Sequence, residues 1–444
     1  MEPKKLPLLK ISDDKRYLVG EAGRTPFFWL GDTAWELLHR LNIEEVKSYF
    51  EDRSKKGFTV IQTVILAELD GLQTPNANGE IPLHDQDPDS PNEKYFSYVD
   101  KVLEEAARLG LYVALLPTWG DKYQKAWGVG PEIFTPENAR KYGAYLGKRY
   151  GSFSNIIWVL GGDRVPKNKT EYQINEKLAK GIKEAGAVQL ITVHPKGGNI
   201  ASDIFGKETW LDIDMFQSKH LKGCLEYKFT QRAMRNLPVR PVIDGEPGYE
   251  NIPNYLNKWG KDRLDAYDVR RSAYWNMLSG AAGHTYGCNE IWQMYSPGRS
   301  PLHGAHLTWT EAMSLPGAFQ MGIMRRLFEQ FPWQRLRAIK GFVRGINWRN
   351  SAHTVGMVDV EGQFALAYSP SRKRVRLDLS LLKSQHLSGY FLDPEKEITY
   401  PIPSKLYPKK TTFKFPRVPD TEKTSKDWLI VLLDETFGSG LRES

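Results

Sequence analysis

The sequence predicts an α/β protein with a (β/α)8 barrel, or TIM barrel, followed by a small C-terminal antiparallel β-sandwich. Between residue 27 and about residue 290, short apolar runs alternate with amphipathic segments in eight strand–helix units. The runs are apolar almost throughout, which is typical of parallel strands buried on both faces. An open doubly wound sheet would usually begin with a glycine-rich phosphate-binding turn, and Gly31–Trp35 does not form one. Eight such units therefore favour a closed barrel.

The elements follow from the spacing of apolar residues along the chain. Apolar runs predict the barrel strands at 27–30, 58–66, 111–117, 156–160, 188–193, 211–216, 240–244 and 283–286. Helical spacing predicts the helices at 43–56, 96–109, 136–149, 171–185, 225–235 and 262–279. Glycine follows four of these helices, at Gly57, Gly110, Gly151 and Gly186, where it suits a helix C-terminus.

Further elements flank the predicted barrel. A hairpin of Leu9–Ile11 and Arg16–Val19 could close the bottom of the barrel, and residues 316–329 read as a last helix. Short alternating segments then predict strands at 354–358, 364–368, 375–379, 389–392, 411–414 and 428–433. The chain is therefore expected to form a barrel domain over 1–343 and a β-sandwich domain over 344–444.

A long loop separates the second strand from its helix. Residues 67–95 are rich in Pro, Asn and Asp, and structureless loops beyond about 12–15 residues are usually functional or disordered. In a barrel this loop lies on the face where active sites occur. The sequence therefore favours a role for residues 67–95 as a loop that covers the substrate.

Composition and charge limit the possible functions. The 444 residues are 41% hydrophobic and 26% charged, which is typical of a globular protein, and no apolar run reaches the roughly 18 residues of a membrane span. The net charge of +8 is spread along the chain, which disfavours nucleic acid as a partner. The N-terminus lacks the apolar core of a signal peptide. Either the protein is cytoplasmic, or a signal was removed and the protein is periplasmic or secreted.

Polar and aromatic residues stand at the carboxyl ends of the predicted strands, where loops of a barrel converge on the active site. These candidates are Asp32, Gln62, Trp119, Asp163, His194, Gln217, His220, Glu246, His284, Tyr286 and Trp292. Any one of them could be a cap or a core hydrogen-bonding group, but packing explains the whole set poorly. Trp119, Tyr286 and Trp292, with Trp127, could stack on the apolar face of a sugar.

Asp163 and Glu246 form the pair with the clearest chemistry. They end the fourth and seventh strands and are expected to face a shared centre. Glycoside cleavage uses two carboxyl groups, one protonated to assist the leaving group and one ionised to attack or to activate water. Gly161 and Gly162 allow backbone or sugar to come close. For either carboxyl group alone, capping or an ion pair would be the simpler interpretation.

Other chemistries fit the sequence less well, and no cofactor is predicted. His303 and His306 have the spacing of metal ligands but lack a partner pattern, so no metal site is expected. Cys288 has no evident histidine partner and is interpreted as a bystander thiol.

Five motifs, in this order along the chain, resemble the apiosidase-like enzymes of glycoside hydrolase family 140. They are Phe28–Trp35 (FWLGDTAW), Leu115–Lys122 (LLPTWGDK), Ile157–Arg164 (IWVLGGDR), Asp244–Pro247 (DGEP) and Gly283–Gly287 (GHTYG). Residues 91–93 and 291–294 extend the likeness. The tail resembles the small β-domain, labelled collagen-binding, that follows this barrel in many members.

The resemblance implies a barrel that acts on a glycan, with known activity on apiose in the side chains of a pectin. It matches Asp163 to the acid/base and Glu246 to the nucleophile. The hypothesis is therefore a retaining glycosidase that binds an oligo- or polysaccharide, with Gln62, Trp119, His194 and Gln217 positioning hydroxyl groups. We expect His284 or Tyr286 to hold Glu246. The alternatives are a catalytically inactive carbohydrate-binding barrel and an adhesin-like protein whose tail is the functional part.

Overall fold

The protein begins with a three-stranded antiparallel sheet. The computed structural model describes residues 6–20, 25–254, 262–345, 347, 350–371, 374–403, 406–416, 427–435 and 437. Strands β1 (Leu9–Ile11), β2 (Leu18–Gly20) and β3 (Pro26–Phe27) pair in that order. Leu9 and Leu18 are buried in the apolar cluster that fills the barrel. The predicted hairpin therefore packs on the barrel interior.

Eight parallel strands form the barrel. They are β4 (Trp29–Thr33), β5 (Val60–Leu66), β6 (Tyr112–Thr118), β7 (Ile156–Gly161), β8 (Ile191–His194), β9 (Asp214–Gln217), β10 (Val242–Glu246) and β11 (Gly283–Tyr286). Their order is β8-β7-β6-β5-β4-β11-β10-β9. β8 and β9 meet where the Asp212 N–H donates to the Ile191 carbonyl at 2.9 Å and the Thr192 hydroxyl donates to the Ile213 carbonyl at 2.8 Å. These bonds close the sheet.

Alternate residues of each strand enter two separate apolar cores. On β6, Tyr112, Ala114 and Leu116 point into the barrel, whereas Val113 and Leu115 pack beneath the helices. This alternation follows from the two-residue period of a strand. Because both faces are apolar, the strands read as continuous apolar runs.

Helices surround the barrel. They are α1 (Leu37–Arg40), α2 (Ile43–Lys55), α3 (Glu93–Arg108), α4 (Pro136–Tyr150), α5 (Lys169–Glu184), α6 (Ala201–Phe205), α7 (Glu226–Ala233), α8 (Ala266–Met277), α9 (Asn289–Trp292), α10 (Trp309–Ala312) and α11 (Pro316–Glu329). Capping boxes begin several of them, including those at Asn42, Thr135 and Asp265. No helix in the described part of the chain is long and apolar enough to cross a membrane.

The tail consists of two antiparallel sheets. Its strands are β12 (Leu336–Arg337), β13 (Val343–Arg344), β14 (Val355–Asp359), β15 (Phe364–Ser369), β16 (Val375–Asp378), β17 (Leu387–Asp393), β18 (Ile398–Pro401), β19 (Lys410–Phe413) and β20 (Trp428–Asp434). One sheet has the order β12-β14-β15-β20-β17-β18 and the other β13-β16-β19. Leu377 and Phe413 of the small sheet share a core with Val358 and Ile430 of the large one.

Helix α8 joins the barrel to the tail through buried contacts. Arg270 lies 2.7 Å from Asp427 in a buried ion pair, and the hydroxyl of Tyr368 donates to the same aspartate at 2.8 Å. Tyr274 stacks on Tyr368 with ring centroids 5.0 Å apart. The tail is thus fixed to the barrel wall.

The predicted fold class is confirmed, with corrections at the level of single elements. Helix 316–329 was predicted at its observed bounds, and α3 begins three residues earlier than predicted because the Asn92 side chain caps it. Strands β12, β13 and β18 were missed because they are very short or exposed.

Candidate active site

A cavity of about 770 Å³ opens at the carboxyl ends of the barrel strands. Its wall combines carboxyl groups, cations and aromatic rings. The charged and imidazole side chains on it are Glu68, Asp163, Lys196, Lys219, His220, Glu246 and His303. The aromatic residues on it are Trp35, Trp119, Trp127, Tyr249 and Trp292. This size falls in the range of small-molecule sites.

Asp163 follows β7 in a tight turn. Gly161, Gly162 and Asp163 have φ values of 91°, 93° and 55°, a left-handed conformation that favours glycine. A Cβ on Gly161 would lie 2.5 Å from the His194 carbonyl oxygen, so the glycine is also required by space. Buried Arg164 donates to the carbonyl oxygens of Gln124 and Asp163 at 2.8 and 2.9 Å. The turn is therefore held firmly, and the side chain of Asp163, on the cavity wall, remains 20% exposed.

Glu246 reaches the cavity through a β-bulge. Ile243 points into the barrel and Asp244 points outward to Asn276. Strict alternation would then turn Glu246 outward. The register with β9 shifts between Asp244 and Glu246, which sets Glu246 opposite Gln217 on the inner face. Bulges next to active sites commonly re-aim a side chain in this way.

Two histidines hold the Glu246 carboxylate. Nε2 of His220 lies 2.9 Å from Oε1, and Nε2 of His194 lies 2.8 Å from Oε2. The backbone N–H of Asp163 donates to Nδ1 of His194 at 3.2 Å, so the neutral imidazole carries its proton on Nε2. His220 makes an aligned hydrogen bond with Glu246, whereas the short contact of His194 is not aligned as one. Tyr249 interacts with Glu246 and accepts a hydrogen bond from Trp35 at 3.1 Å. His194 thus connects the two carboxyl-bearing segments.

The environment drives the pKa values of the two carboxyl groups apart. Burial, together with the charge of Glu246, raises the pKa of Asp163 to about 6. Burial alone would raise the pKa of Glu246, but the contacts with His194 and His220 outweigh it and lower the pKa below its usual range. One carboxyl group therefore keeps its proton to higher pH while the other is ionised. Such a split is the pattern of a general acid beside an anionic partner.

Aromatic rings form one side of the cavity. The rings of Trp35 and Trp119 are 5.1 Å apart, and Trp35 meets His194 edge-on at 5.3 Å. Trp127 is 55% exposed at the rim, with the Arg164 guanidinium 4.1 Å from its centroid and Lys196 Nζ at 4.9 Å. This wall can stack on a flat apolar face.

The structure gathers most of the predicted site residues but not all of them. Asp163, Glu246, Trp119, Gln217, His220 and Trp292 line the cavity, and His194 touches Glu246. Trp35, Tyr249 and Glu68 also line it and were not predicted. All three follow strand ends by a few residues, and the aromatic character of the first two was a usable signal.

Four predicted residues lie away from the cavity wall. Asp32 pairs with Arg53 on α2, His284 contacts Asn276, and Tyr286 donates to Glu250 at 2.6 Å. Each occupies a strand position whose side chain points outward to the helices. The expectation that His284 or Tyr286 holds Glu246 was therefore wrong. Gln62 points inward but below the cavity, where it donates to the Gly245 carbonyl at 2.8 Å.

Asp32 has a structural role, and we expect its removal to change stability. Its carboxylate lies 2.5 Å from Nε of Arg53 and 2.6 Å from the Tyr49 hydroxyl, and both charged side chains are fully buried. Asp32→Asn leaves Nε of the buried Arg53 without its carboxylate partner, while Asp52 still binds Nη1 at 2.8 Å. The variant should therefore be less stable by about 3 kcal/mol, the low end of the cost of breaking a buried ion pair. Chemical unfolding measures this, with the exposed Glu51→Gln as control. Unchanged stability with a raised KM would instead make Asp32 a substrate ligand.

Cys288 is fully buried, and burial raises the pKa of its thiol well above the usual value. It is therefore a protonated core residue. Among the described residues, no group of three His, Cys, Asp or Glu side chains could hold a metal ion.

A parallel barrel with two carboxyl groups of oppositely shifted pKa in its mouth is the arrangement expected of a glycoside hydrolase, and the comparisons with known proteins agree. The chain belongs to the family described as "Apiosidase-like, catalytic domain", whose model matches residues 12–335. A structure titled "Glycoside hydrolase" is 28% identical with a TM-score of 0.87, covering 97% of both chains. A glycoside hydrolase family 5 protein from Bacteroides vulgatus ATCC 8482 is 27% identical with a TM-score of 0.88, covering 97% of this chain and 94% of that one. No curated protein matched the chain.

Proposed function

We propose that the protein is a retaining glycosidase in which Glu246 is the nucleophile and Asp163 the acid/base. Glu246 attacks the anomeric carbon as the glycosidic C–O bond breaks, and Asp163 gives its proton to the leaving oxygen. Asp163 then takes a proton from water, which attacks the glycosyl–Glu246 ester and releases the sugar. The observation that carries this proposal is the opposite shift of the two pKa values in one cavity.

His194, His220 and Tyr249 act as positioning residues in this proposal. Their contacts keep the Glu246 carboxylate ionised and fix its oxygens, which favours attack over rotation. Trp35 supports Tyr249 through its indole N–H. None of these groups needs to change protonation during the reaction.

We propose that the substrate is a plant-type polysaccharide, and that the enzyme removes a side-chain sugar as an apiosidase acting on pectin. The family description, the motifs that resemble glycoside hydrolase family 140 and the aromatic wall support this choice. Lys196 and Lys219 line the cavity and suit an acidic polysaccharide.

Incubation with purified pectins, with and without apiose, tests the substrate. We expect the wild type to release apiose-containing fragments from the first, as detected by chromatography and mass spectrometry. The Asp163→Asn, Glu246→Gln double variant is the control. Release of the same fragments by the double variant would show that Asp163 and Glu246 are not the catalytic pair. Release of another sugar by the wild type would show that apiose is not the sugar removed.

We further propose that the chain works as two domains, and that the tail begins with β12 at Leu336, a few residues before the expected boundary at 343. The change from the parallel barrel to antiparallel sheets supports this division. The buried pair of Arg270 and Asp427 would make the tail a brace for α8 rather than a mobile appendage.

The pKa of Asp163 predicts the alkaline limit of activity. A general acid must be protonated, so kcat/KM should fall about tenfold per pH unit above pH 6 as Asp163 loses its proton. A profile of kcat/KM from pH 4 to 9 measures this. The same limb should be absent from the residual activity of Asp163→Asn. A wild-type profile that stays flat to pH 8 would contradict the role of Asp163.

Loss of His220 should shift the acid limit. His220→Gln weakens the stabilisation of the Glu246 carboxylate, so the pKa of Glu246 rises and the acid limb of kcat/KM moves up by about 1–2 pH units. His303→Gln, in the same cavity, is the control. Equal losses at all pH values would indicate a purely structural effect.

A further inference from the structure

A third carboxyl group, that of Glu68, lies on the cavity wall. Glu68 follows the end of β5 by two residues, at the start of the long loop before α3. The peptide group that joins Glu68 to Leu69 is fixed through both its N–H and its carbonyl. The Leu69 N–H donates to Oε1 of buried Glu36 at 3.1 Å, and the Asp70 N–H donates to the Glu68 carbonyl at 2.9 Å. The side chain is therefore presented at a defined place in the cavity.

The surroundings of Glu68 leave its carboxyl group without a protein partner. Within the described ranges, no hydrogen bond or ion pair reaches its oxygens. Asp121 is already bonded to Lys122 at 2.9 Å, and the guanidinium of Arg164 is occupied by backbone carbonyl groups. Burial and then the negative charges of Asp121 and Asp163 raise the pKa of Glu68 to about 8, against the opposing charge of Arg164. At neutral pH the group is thus an uncharged carboxylic acid.

We propose that Glu68 binds a hydroxyl group of the sugar at the scissile bond and so determines which sugar is accepted. This inference rests on the proposed glycosidase function. An uncharged carboxylic acid offers one O–H donor and an acceptor oxygen, which matches a sugar hydroxyl that both accepts and donates. A sugar without that hydroxyl would leave the polar group unpaired in the filled cavity. Sites built in this way reject the analogue that lacks the group.

Neither proposed catalytic step needs Glu68. Asp163 supplies the proton and Glu246 the carboxylate, and a neutral third acid near Asp163 avoids adding a further negative charge there. Its location in the loop predicted to cover the substrate is consistent with a role in recognition.

Sugar binding, rather than turnover, tests the inference. Tryptophan fluorescence would be titrated with free apiose, arabinose, rhamnose, galactose and galacturonic acid, and then with monodeoxy derivatives of the tightest binder. Glu68→Ala should weaken binding of the parent sugar about tenfold, a typical effect of one lost hydrogen bond. Glu68→Ala should leave unchanged the affinity for the one deoxy derivative that lacks the hydroxyl group bound by Glu68. Asp85→Asn, an exposed acid in the same loop, is the matched control.

A pH series supplies the second readout. Wild-type affinity should fall above about pH 8 as Glu68 ionises, and Glu68→Gln, which keeps a donor and an acceptor, should show no such fall. Equal weakening for every deoxy derivative, no weakening at all, or no sugar binding would overturn the inference. A wild type that binds sugar but cleaves no glycan would instead contradict the proposed function.

Discussion

Replacing Glu246 with Gln should reduce kcat by about 10⁴-fold or more, because an amide cannot form the glycosyl ester through which the reaction passes. The substitution keeps the size of the side chain, so the cavity and its contacts should survive. Initial rates with an aryl glycoside of the released sugar measure the loss. Binding of that sugar, followed by tryptophan fluorescence, should change far less than kcat.

Glu104→Gln is the control for this variant, because Glu104 is exposed on α3 and remote from the cavity. It should behave as the wild type. Wild-type activity in Glu246→Gln would show that Glu246 is not the nucleophile. Circular dichroism would detect an unfolded variant, and Glu246→Asp would then replace it in the test.

Replacing Asp163 with Asn should lower kcat/KM by about 10²–10⁴-fold for substrates with a sugar leaving group, since the leaving oxygen then departs without a proton. A glycoside with an acidic phenol as leaving group needs little protonation and should lose much less in its first step. The dependence of the loss on the leaving group separates a missing acid from a general structural defect.

Azide provides the control for Asp163→Asn. This small anion attacks without general base help, so it should restore turnover of the activated glycoside and yield a glycosyl azide of retained configuration. Azide should not restore Glu246→Gln in the same way. If losses in Asp163→Asn are equal for good and poor leaving groups, Asp163 is not the acid.

The fold was predictable because the chain repeats one pattern eight times. Helix ends were marked by glycines, and α11 was predicted at its observed bounds. The short strands β12 and β13, two residues each, carry too little pattern to be recognised. They depend on pairing with distant strands, which a local pattern does not contain.

The turn that carries Asp163 was predictable from the sequence, whereas the direction of the side chains along the strands was less so. The glycines at 161 and 162 indicated the close approach before Asp163, and the structure gives both a positive φ. The sequence did not show which alternate residues of a strand point into the barrel, because these strands are apolar on both faces. Asp32 and His284 were therefore expected in the cavity but face the helices.

Glu246 shows why strand parity alone is insufficient. Two residues of β10, Asp244 and Glu246, straddle a shift in register with β9. Without that bulge Glu246 would share the outward orientation of Asp244. Its motif singled out a residue that lines the cavity, but only the pairing of the strands explains how it reaches the same cavity as Asp163.

The stereochemistry of the first-formed sugar tests the central proposal most directly. Proton NMR would follow the anomeric signals of a synthetic glycoside during the first minutes of hydrolysis by the wild type, before mutarotation equilibrates the anomers. Double displacement through Glu246 predicts that the product first appears with the anomeric configuration of the substrate. First appearance of the opposite anomer would mean that water attacks directly, and it would contradict the role of Glu246 as nucleophile.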